Sequence, residues 1–228
     1  MNCSICGGSK FKSNKVLWKE LINEWQISKV EADYINRQQG KKCNSCGANI
    51  RSIALAKAIQ DFMGTTMVLN EVVNLEMARN LHVLEINEAG TLSPILKRFA
   101  HYSFGAYPEV DIHTLPYEDA KFDLVVHSDT LEHVKNPIHA LSECYRVLKP
   151  GGALCFTIPV IVGRMTRNRE GLPKSFHGNP KTASNDFVVQ TEFGADAWTY
   201  ILEAGFKELR VHAFEYPAGI AFSAYRSD

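Results

Sequence analysis

A chain of 228 residues with 45% apolar content can bury one sizeable core and carry a small appendage beside it. Its 25 basic and 25 acidic side chains cancel, so no net field draws it to nucleic acid or to an anionic membrane surface. Residues 1–15 are polar and lack the apolar centre of a secretory leader, and no run is long enough to span a bilayer, which together predict a cytoplasmic protein.

The chain opens on a Cys-x-x-Cys pair, Cys3 and Cys6, and repeats it at Cys43 and Cys46. Four thiolates at about 2.3 Å in a tetrahedron are what a structural zinc ion requires, and a reducing compartment keeps such thiols from pairing as disulfides. A glycine follows each pair, at Gly7 and Gly47, and lets the backbone fold around the sulfurs without a Cβ in the way. A redox dithiol would open a helix after a strand, and no strand precedes residues 1–8. Four thiolates on one divalent ion add about two negative charges locally, a second argument against nucleic acid. Between the pairs, Leu17, Trp18, Leu21, Ile22 and Trp25 recur at helical spacing, followed by Val30, Tyr34 and Ile35. The pattern predicts a helical insertion over 16–37, with Trp18 and Trp25 supplying core to a zinc-binding domain over residues 1–50. A strong helix over 51–63 begins a helical linker that runs to residue 79.

From Leu81 the rhythm changes to short apolar runs alternating with helical stretches, the signature of an α/β fold over residues 80–228. Strands are predicted at 81–86, 102–107, 122–127 and 153–159, helices at 92–100, 137–148 and 193–203, and a closing antiparallel pair at 208–214 and 220–225. Cys144 and Cys155 fall in an apolar helix and an apolar strand and read as core. The turn after the first strand, Asn87-Glu88-Ala89-Gly90, stands where doubly wound sheets present backbone amides to a nucleotide-like ligand.

Four blocks then follow in order: Leu115-Pro116-Tyr117, Phe122-Asp123-Leu124-Val125, Leu131-Glu132-His133-Val134 and Arg146-Val147-Leu148-Lys149-Pro150-Gly151-Gly152. The series resembles the class I S-adenosylmethionine-dependent methyltransferases, in the group whose motifs read Leu-Pro-Phe, Phe-Asp-Leu-Val, Leu-Glu-His-Val and Leu-Lys-Pro-Gly-Gly. The resemblance implies a Rossmann-like sheet with helices on both faces and S-adenosylmethionine as cofactor. It implies that Glu85 closes the first strand near the methionine end of the cofactor, with Asn87, Ala89 and Gly90 in the turn beneath it. It places Asp111 and Ile112 beside the adenine and His127 and Ser128 under the sulfonium, and gives Glu132 and His133 a helix-capping role. Where the family has a Gly-x-Gly-x-Gly turn, this chain has Asn87-Glu88-Ala89-Gly90-Thr91. Only residues 102–110 separate the first helix from Asp111, so one βα unit is shortened, at what would be a sheet edge.

The long polar connection 160–192 lies at the carboxyl edge of the sheet, where an acceptor would enter. It holds His177, a candidate general base, and Arg164, Arg167 and Arg169, which suggest an anionic acceptor. The reading that results is methyl transfer to a small-molecule acceptor, a saccharide or another anionic metabolite. Two others stand beside it. One is an RNA methyltransferase that uses the zinc domain as a reader, supported by Lys10, Lys12, Lys15, Lys41 and Lys42. The other is a non-catalytic binding module, supported by the degenerate glycine turn.

Overall fold

The computed structural model describes residues 2–176 and 185–227. Near the N-terminus, β1 (Phe11–Ser13) leads into α1 (Lys19–Glu24) and α2 (Lys29–Gly40), and β2 (Lys41–Cys43) returns antiparallel to β1. The predicted helical insertion is therefore two helices. The second starts at Ser28, whose hydroxyl accepts from the Glu31 amide while the Glu31 carboxylate accepts from the Ser28 amide, so two otherwise orphaned donors are satisfied reciprocally. Trp18 is 43% exposed and does not supply core; Tyr34, on α2, fills that role.

Helix α3 (Ile50–Phe62) begins at Asn49, whose side chain accepts from the Ser52 amide at 2.8 Å. It was expected to join two domains. In the structure it is apolar nearly all round, with Ile50, Ile53, Leu55 and Ile59 wholly excluded from solvent, because it lies across one face of the main sheet. Two single turns, α4 (Leu69–Val72) and α5 (Glu76–Arg79), lead to the sheet.

Along the chain come β3 (His82–Ile86), α6 (Ser93–Leu96), β4 (His101–Gly105), β5 (Phe122–Ser128), α7 (Pro137–Val147) and β6 (Leu148–Thr157). A small sheet follows, built from β7 (Val160–Ile161), β8 (Arg167–Asn168) and β9 (Thr191–Gly194) in the order β7-β9-β8. Then α8 (Ala197–Glu203), β10 (Glu208–Phe214) and β11 (Gly219–Tyr225) complete the chain. The main sheet has six strands in the order β10-β11-β6-β5-β3-β4, parallel from β6 to β4 and antiparallel where β11 joins. This is the expected mixed α/β, Rossmann-like architecture.

Two elements differ from expectation, and a third feature agrees with it. The helix predicted over 92–100 is a 3-10 turn (Gly90–Leu92) and the single turn α6, because β4 starts at His101 in register with His82 and only residues 97–100 remain to reverse the chain. No helix or strand forms over residues 106–121, so β4 is the edge strand and one βα unit is absent, as the sequence spacing predicted. Phe193 and Gly194 belong to β9 and not to the following helix. A Cβ on Gly194 would stand 2.1 Å from the Arg164 carbonyl oxygen, so this close strand approach requires glycine.

One hydrophobic cluster joins Cys3, Ile5 and Cys43 to Ile53, Leu124, Val126 and Ala221, so the cysteine-rich segment shares its core with the sheet. Cys144 and Cys155 are fully buried core residues, and burial raises both thiols far above their ordinary range. No helix among the described residues is long and apolar enough to cross a membrane.

Candidate cysteine centre and ligand cavity

The two cysteine pairs fold into the same local shape twice. The Cys3 amide donates to the Gly8 carbonyl and the Gly7 amide to the Cys3 carbonyl; the Cys43 amide donates to Ala48 and the Gly47 amide to Cys43, all between 2.8 and 2.9 Å. Gly7 and Gly47 take φ of 77° and 76°, the left-handed conformation that the spacing anticipated. Amides of Ile5 and Cys6 point at Cys3 Sγ, and amides of Ser45 and Cys46 at Cys43 Sγ. The four sulfurs lie within 4.8 Å of one another, with Cys3–Cys46 and Cys6–Cys43 each at 3.7 Å. Four sulfurs around a tetrahedral ion with bonds of about 2.3 Å stand about 3.8 Å apart, so the cluster has the dimensions of a metal centre. Burial drives Cys3 up to about 11. At Cys43 burial also pushes upward, but hydrogen bonds from the Cys46 and Ser45 amides and from the Cys6 and Cys46 thiols together outweigh it and bring it to about 7, so a bound cation is what would ionise the set together.

A cavity of about 880 Å³ opens at the carboxyl ends of β3 and β5. Its first wall is the turn of Asn87, Glu88 and Gly90. Asn87 has φ of 54°, its amide donates to the Gly105 carbonyl, its Oδ1 accepts from the Tyr107 amide, and its Nδ2 donates to Thr130 Oγ1. The left-handed position in this turn is taken by asparagine, which tolerates that conformation and stitches the ends of three strands together. Beneath the turn, Glu85 is wholly buried and accepts from the Ala89 amide at 2.7 Å, from Tyr102 Oη at 2.5 Å and from the Ser93 hydroxyl.

The second wall comes from α3. Asn49, Arg51 and Ser52 face the cavity, and Arg51 Nη1 donates to Asp129 Oδ1 at 2.5 Å. Only residues 47–48 separate Cys46 from Asn49, so the cysteine centre adjoins this wall directly. Ser128, Asp129 and Thr130 form the floor, with Ser128 Oγ bonded to Thr157 Oγ1 at 2.8 Å. Tyr107, Val110, Asp111, Ile112 and His113 from the connection after β4, with His133, Phe187 and Gln190, complete the lining. Acidic Glu88, Asp111, Asp129 and Asp186 outnumber basic Arg51 and Lys135 on these walls.

Of the residues implied by the resemblance, Asn87, Gly90, Asp111, Ile112 and Ser128 line the cavity together. Glu85, Ala89 and His127 stand behind its walls. Burial holds His127 down to about 3, so it is uncharged, and its ring packs on Phe156 with centroids 4.8 Å apart. His177 lies outside the described residues. His133 does reach the wall, its Nδ1 3.1 Å from the Val188 carbonyl and its Nε2 3.6 Å from the buried Glu132 carboxylate, which burial raises above its ordinary range. The Leu-Glu-His-Val block was the available signal for it. Nothing in the sequence pointed to Asn49, Arg51 or Ser52, since the helix that carries them was expected to be a linker.

The three loop arginines do not line the cavity. Arg164 forks onto Glu31 at 2.7 and 3.0 Å, and Arg167 and Arg169 share Glu192. Arg164 has a glutamate of its own and the other two guanidinium groups share one, so these side chains form a clasp that ties the β7-β9-β8 sheet together and to α2. Lys41 is likewise paired, with Glu215.

Residues 91–156 match the family described as a methyltransferase domain. A probable S-adenosylmethionine-dependent methyltransferase of Mycolicibacterium smegmatis is 32% identical over 152 residues, 64% of this chain and 51% of that protein. A demethylmenaquinone methyltransferase of Staphylococcus aureus is 35% identical over 107 residues, 47% of this chain and 37% of that protein. A ubiquinone biosynthesis O-methyltransferase of Aliivibrio fischeri is 28% identical over 158 residues, 65% of this chain and 60% of that protein. The chain thus spans between 37% and 60% of the length of these relatives.

Proposed function

We propose that the cavity binds S-adenosylmethionine and that the chain transfers the methyl group to a small molecule. The observation that supports this most is the convergence of Asn87, Gly90, Asp111, Ile112 and Ser128 on one cavity at the carboxyl ends of β3 and β5, the crevice where open α/β sheets hold nucleotide-like ligands. When bound, the cofactor supplies an activated methyl on a sulfonium. The chain's own residues then have the tasks of alignment and water exclusion. An acidic lining suits a cationic sulfonium, and His127, kept uncharged by burial, puts no positive charge behind it.

The acceptor enters beside His133, Phe187 and Gln190. With the loop arginines off the cavity wall and engaged by Glu31 and Glu192, an anionic acceptor loses support, and the small-molecule relatives of the quinone pathways favour an uncharged or aromatic one. Two histidines compete for the role of general base, His177 of the connection 160–192, which lies outside the described residues, and His133 on the wall. The cysteine centre holds a structural zinc ion in this reading, since four thiolates suit zinc and leave no open coordination position.

Calorimetric titration with S-adenosylmethionine and S-adenosylhomocysteine tests the binding step. Transfer of a labelled methyl group to a panel of catechols, phenols and hydroxyquinones tests the chemistry. Absence of binding by either cofactor form to folded, metal-replete protein would refute the proposal.

A further inference from the structure

The two edges of the main sheet are guarded differently. At one, β10 carries Glu208, Arg210 and His212, and charges of this kind keep an edge from pairing with another chain. At the other, β4 reads His-Tyr-Ser-Phe-Gly, with no carboxylate, ammonium, guanidinium or proline, and its Phe104 is 43% exposed. Residues 106–121 form no helix or strand to cover it, and among the described residues no strand pairs with its outer side. In the parallel ladder with β3, His101, Ser103 and Gly105 turn their backbone groups inward, as the Asn87 amide on the Gly105 carbonyl marks. Tyr102 and Phe104 therefore turn theirs outward.

We propose that β4 is a dimer surface, on which a second copy of this chain adds its own β4 antiparallel across a two-fold axis at Ser103. In that register Tyr102 of each copy lies opposite Phe104 of the other. These are the two residues whose backbone groups face out, so each pair exchanges both of its N–H···O=C bonds and the two main sheets become one. The two side chains share one face of the strand and meet as aromatic cross-strand pairs. Charge supports the same match. Lys97 lies over the Phe104 ring, 5.9 Å from its centroid, while the Tyr102 hydroxyl, raised mainly by burial and by Glu85, also feels the negative charge of Glu88. Among the described residues neither Lys97 nor Glu88 makes a salt bridge. Setting Phe104 on the partner's Tyr102 brings each Lys97 toward the partner's Glu88, so both ends of the edge become contacts between opposite charges.

The test is sedimentation velocity of the full, metal-replete chain between about 1 and 100 µM, around the micromolar affinity of a modest interface, with residue-resolved amide exchange at both ends of that range. The parent should pass from monomer to dimer as the concentration rises. The Tyr102 and Phe104 amides should become protected as it does, while those of Ser103 and Gly105 stay protected throughout. Phe104→Lys adds the missing guard charge and should leave the chain monomeric across the range. Lys97→Glu sets like charges against each other at two symmetric contacts and should raise the dissociation constant about tenfold, and adding Glu88→Lys should restore it. Thermal unfolding of each variant checks that the fold is kept.

A folded parent that stays monomeric at the highest concentration would overturn the proposal and leave the edge to a strand of another protein. A dimer that Phe104→Lys does not weaken, or in which the Tyr102 and Phe104 amides still exchange freely, would place the interface elsewhere and overturn it as well. Failure of the swapped pair to restore the parental affinity would overturn the antiparallel register.

Discussion

The cysteine centre and the ligand cavity are adjoining parts of one molecule built on opposite principles. The centre is two copies of one short loop, each with the same pair of backbone hydrogen bonds, the same left-handed glycine and the same amides aimed at its first sulfur. Everything that shapes it lies within a few residues of a cysteine. The cavity draws its walls from α3, the turn after β3, the connection after β4, the end of β5 and the approach to β9. Its chemistry is specified by topology, and no short window of sequence contains it. The two meet at Asn49, which caps α3 just after the second cysteine loop and stands on the cavity wall.

That junction makes the loss of one thiolate from the proposed zinc centre the most damaging test. Cys43→Ser should abolish stoichiometric zinc and cost on the order of 5 kcal/mol or more, since structural zinc contributes about 10 kcal/mol or more to small sites. Because Cys43 shares a core with Ile53, Leu124 and Val126, the loss should appear in the unfolding of the whole chain, and S-adenosylhomocysteine binding should fall with it. Elemental analysis, thermal unfolding and calorimetry of parent and variant measure the three. An unchanged melting temperature with cofactor binding retained would show that centre and cavity are independent, and would break the comparison.

The same contrast explains how much of the molecule was legible in its sequence. The cysteine loops, the parallel strands and the closing antiparallel pair follow from spacing and apolar runs, because their determinants are local. Helix α3 was legible as a helix but not as a layer of the sheet. Its propensity is a local property, and its burial depends on which face the sheet turns toward it. Arg164, Arg167 and Arg169 were misread for the same reason: their partners Glu31 and Glu192 lie 133, 25 and 23 residues away. The glycine-poor turn keeps a left-handed position because Asn87 adopts it in place of glycine, which a glycine pattern alone does not reveal.

Glu85 holds the cavity side together through contacts of its own. It was expected to meet the cofactor, yet it is spent on the Ala89 amide, the Ser93 hydroxyl and Tyr102, whose own ionisation is pushed up by burial and by this carboxylate. Glu85→Ala strands two buried donors and the half-buried Tyr102 hydroxyl and should cost about 3 kcal/mol, read from the denaturant midpoint. A loss below about 0.5 kcal/mol would mean that the turn holds its shape without Glu85, and would return the residue to the role of a ligand contact.

The smallest effect belongs to the clasp between the two regions, where Glu31 on α2 meets Arg164 beside β7. The fork of Arg164 and the Ser28 amide together outweigh burial and hold Glu31 down at about 2, against an ordinary carboxylate value of 4.5. A carboxylate depressed on folding stabilises the native state at every pH above its unfolded value. That contribution declines as the pH drops below about 4.5 and is gone once the pH has passed through about 2. The full shift corresponds to about 3 kcal/mol, and solvent at the one-third-exposed Arg164 screens this to about 1 to 2 kcal/mol. Glu31→Gln isolates the charge, because glutamine still accepts from the Ser28 amide and keeps the capping box of α2. The stability difference between parent and variant should therefore be greatest near neutrality and shrink toward zero at about pH 2, measured by denaturant titration across that range. A difference that stays constant with pH would show that Arg164 and Glu31 pack without exchanging charge. The insertion would then be held on the sheet by the shared core alone.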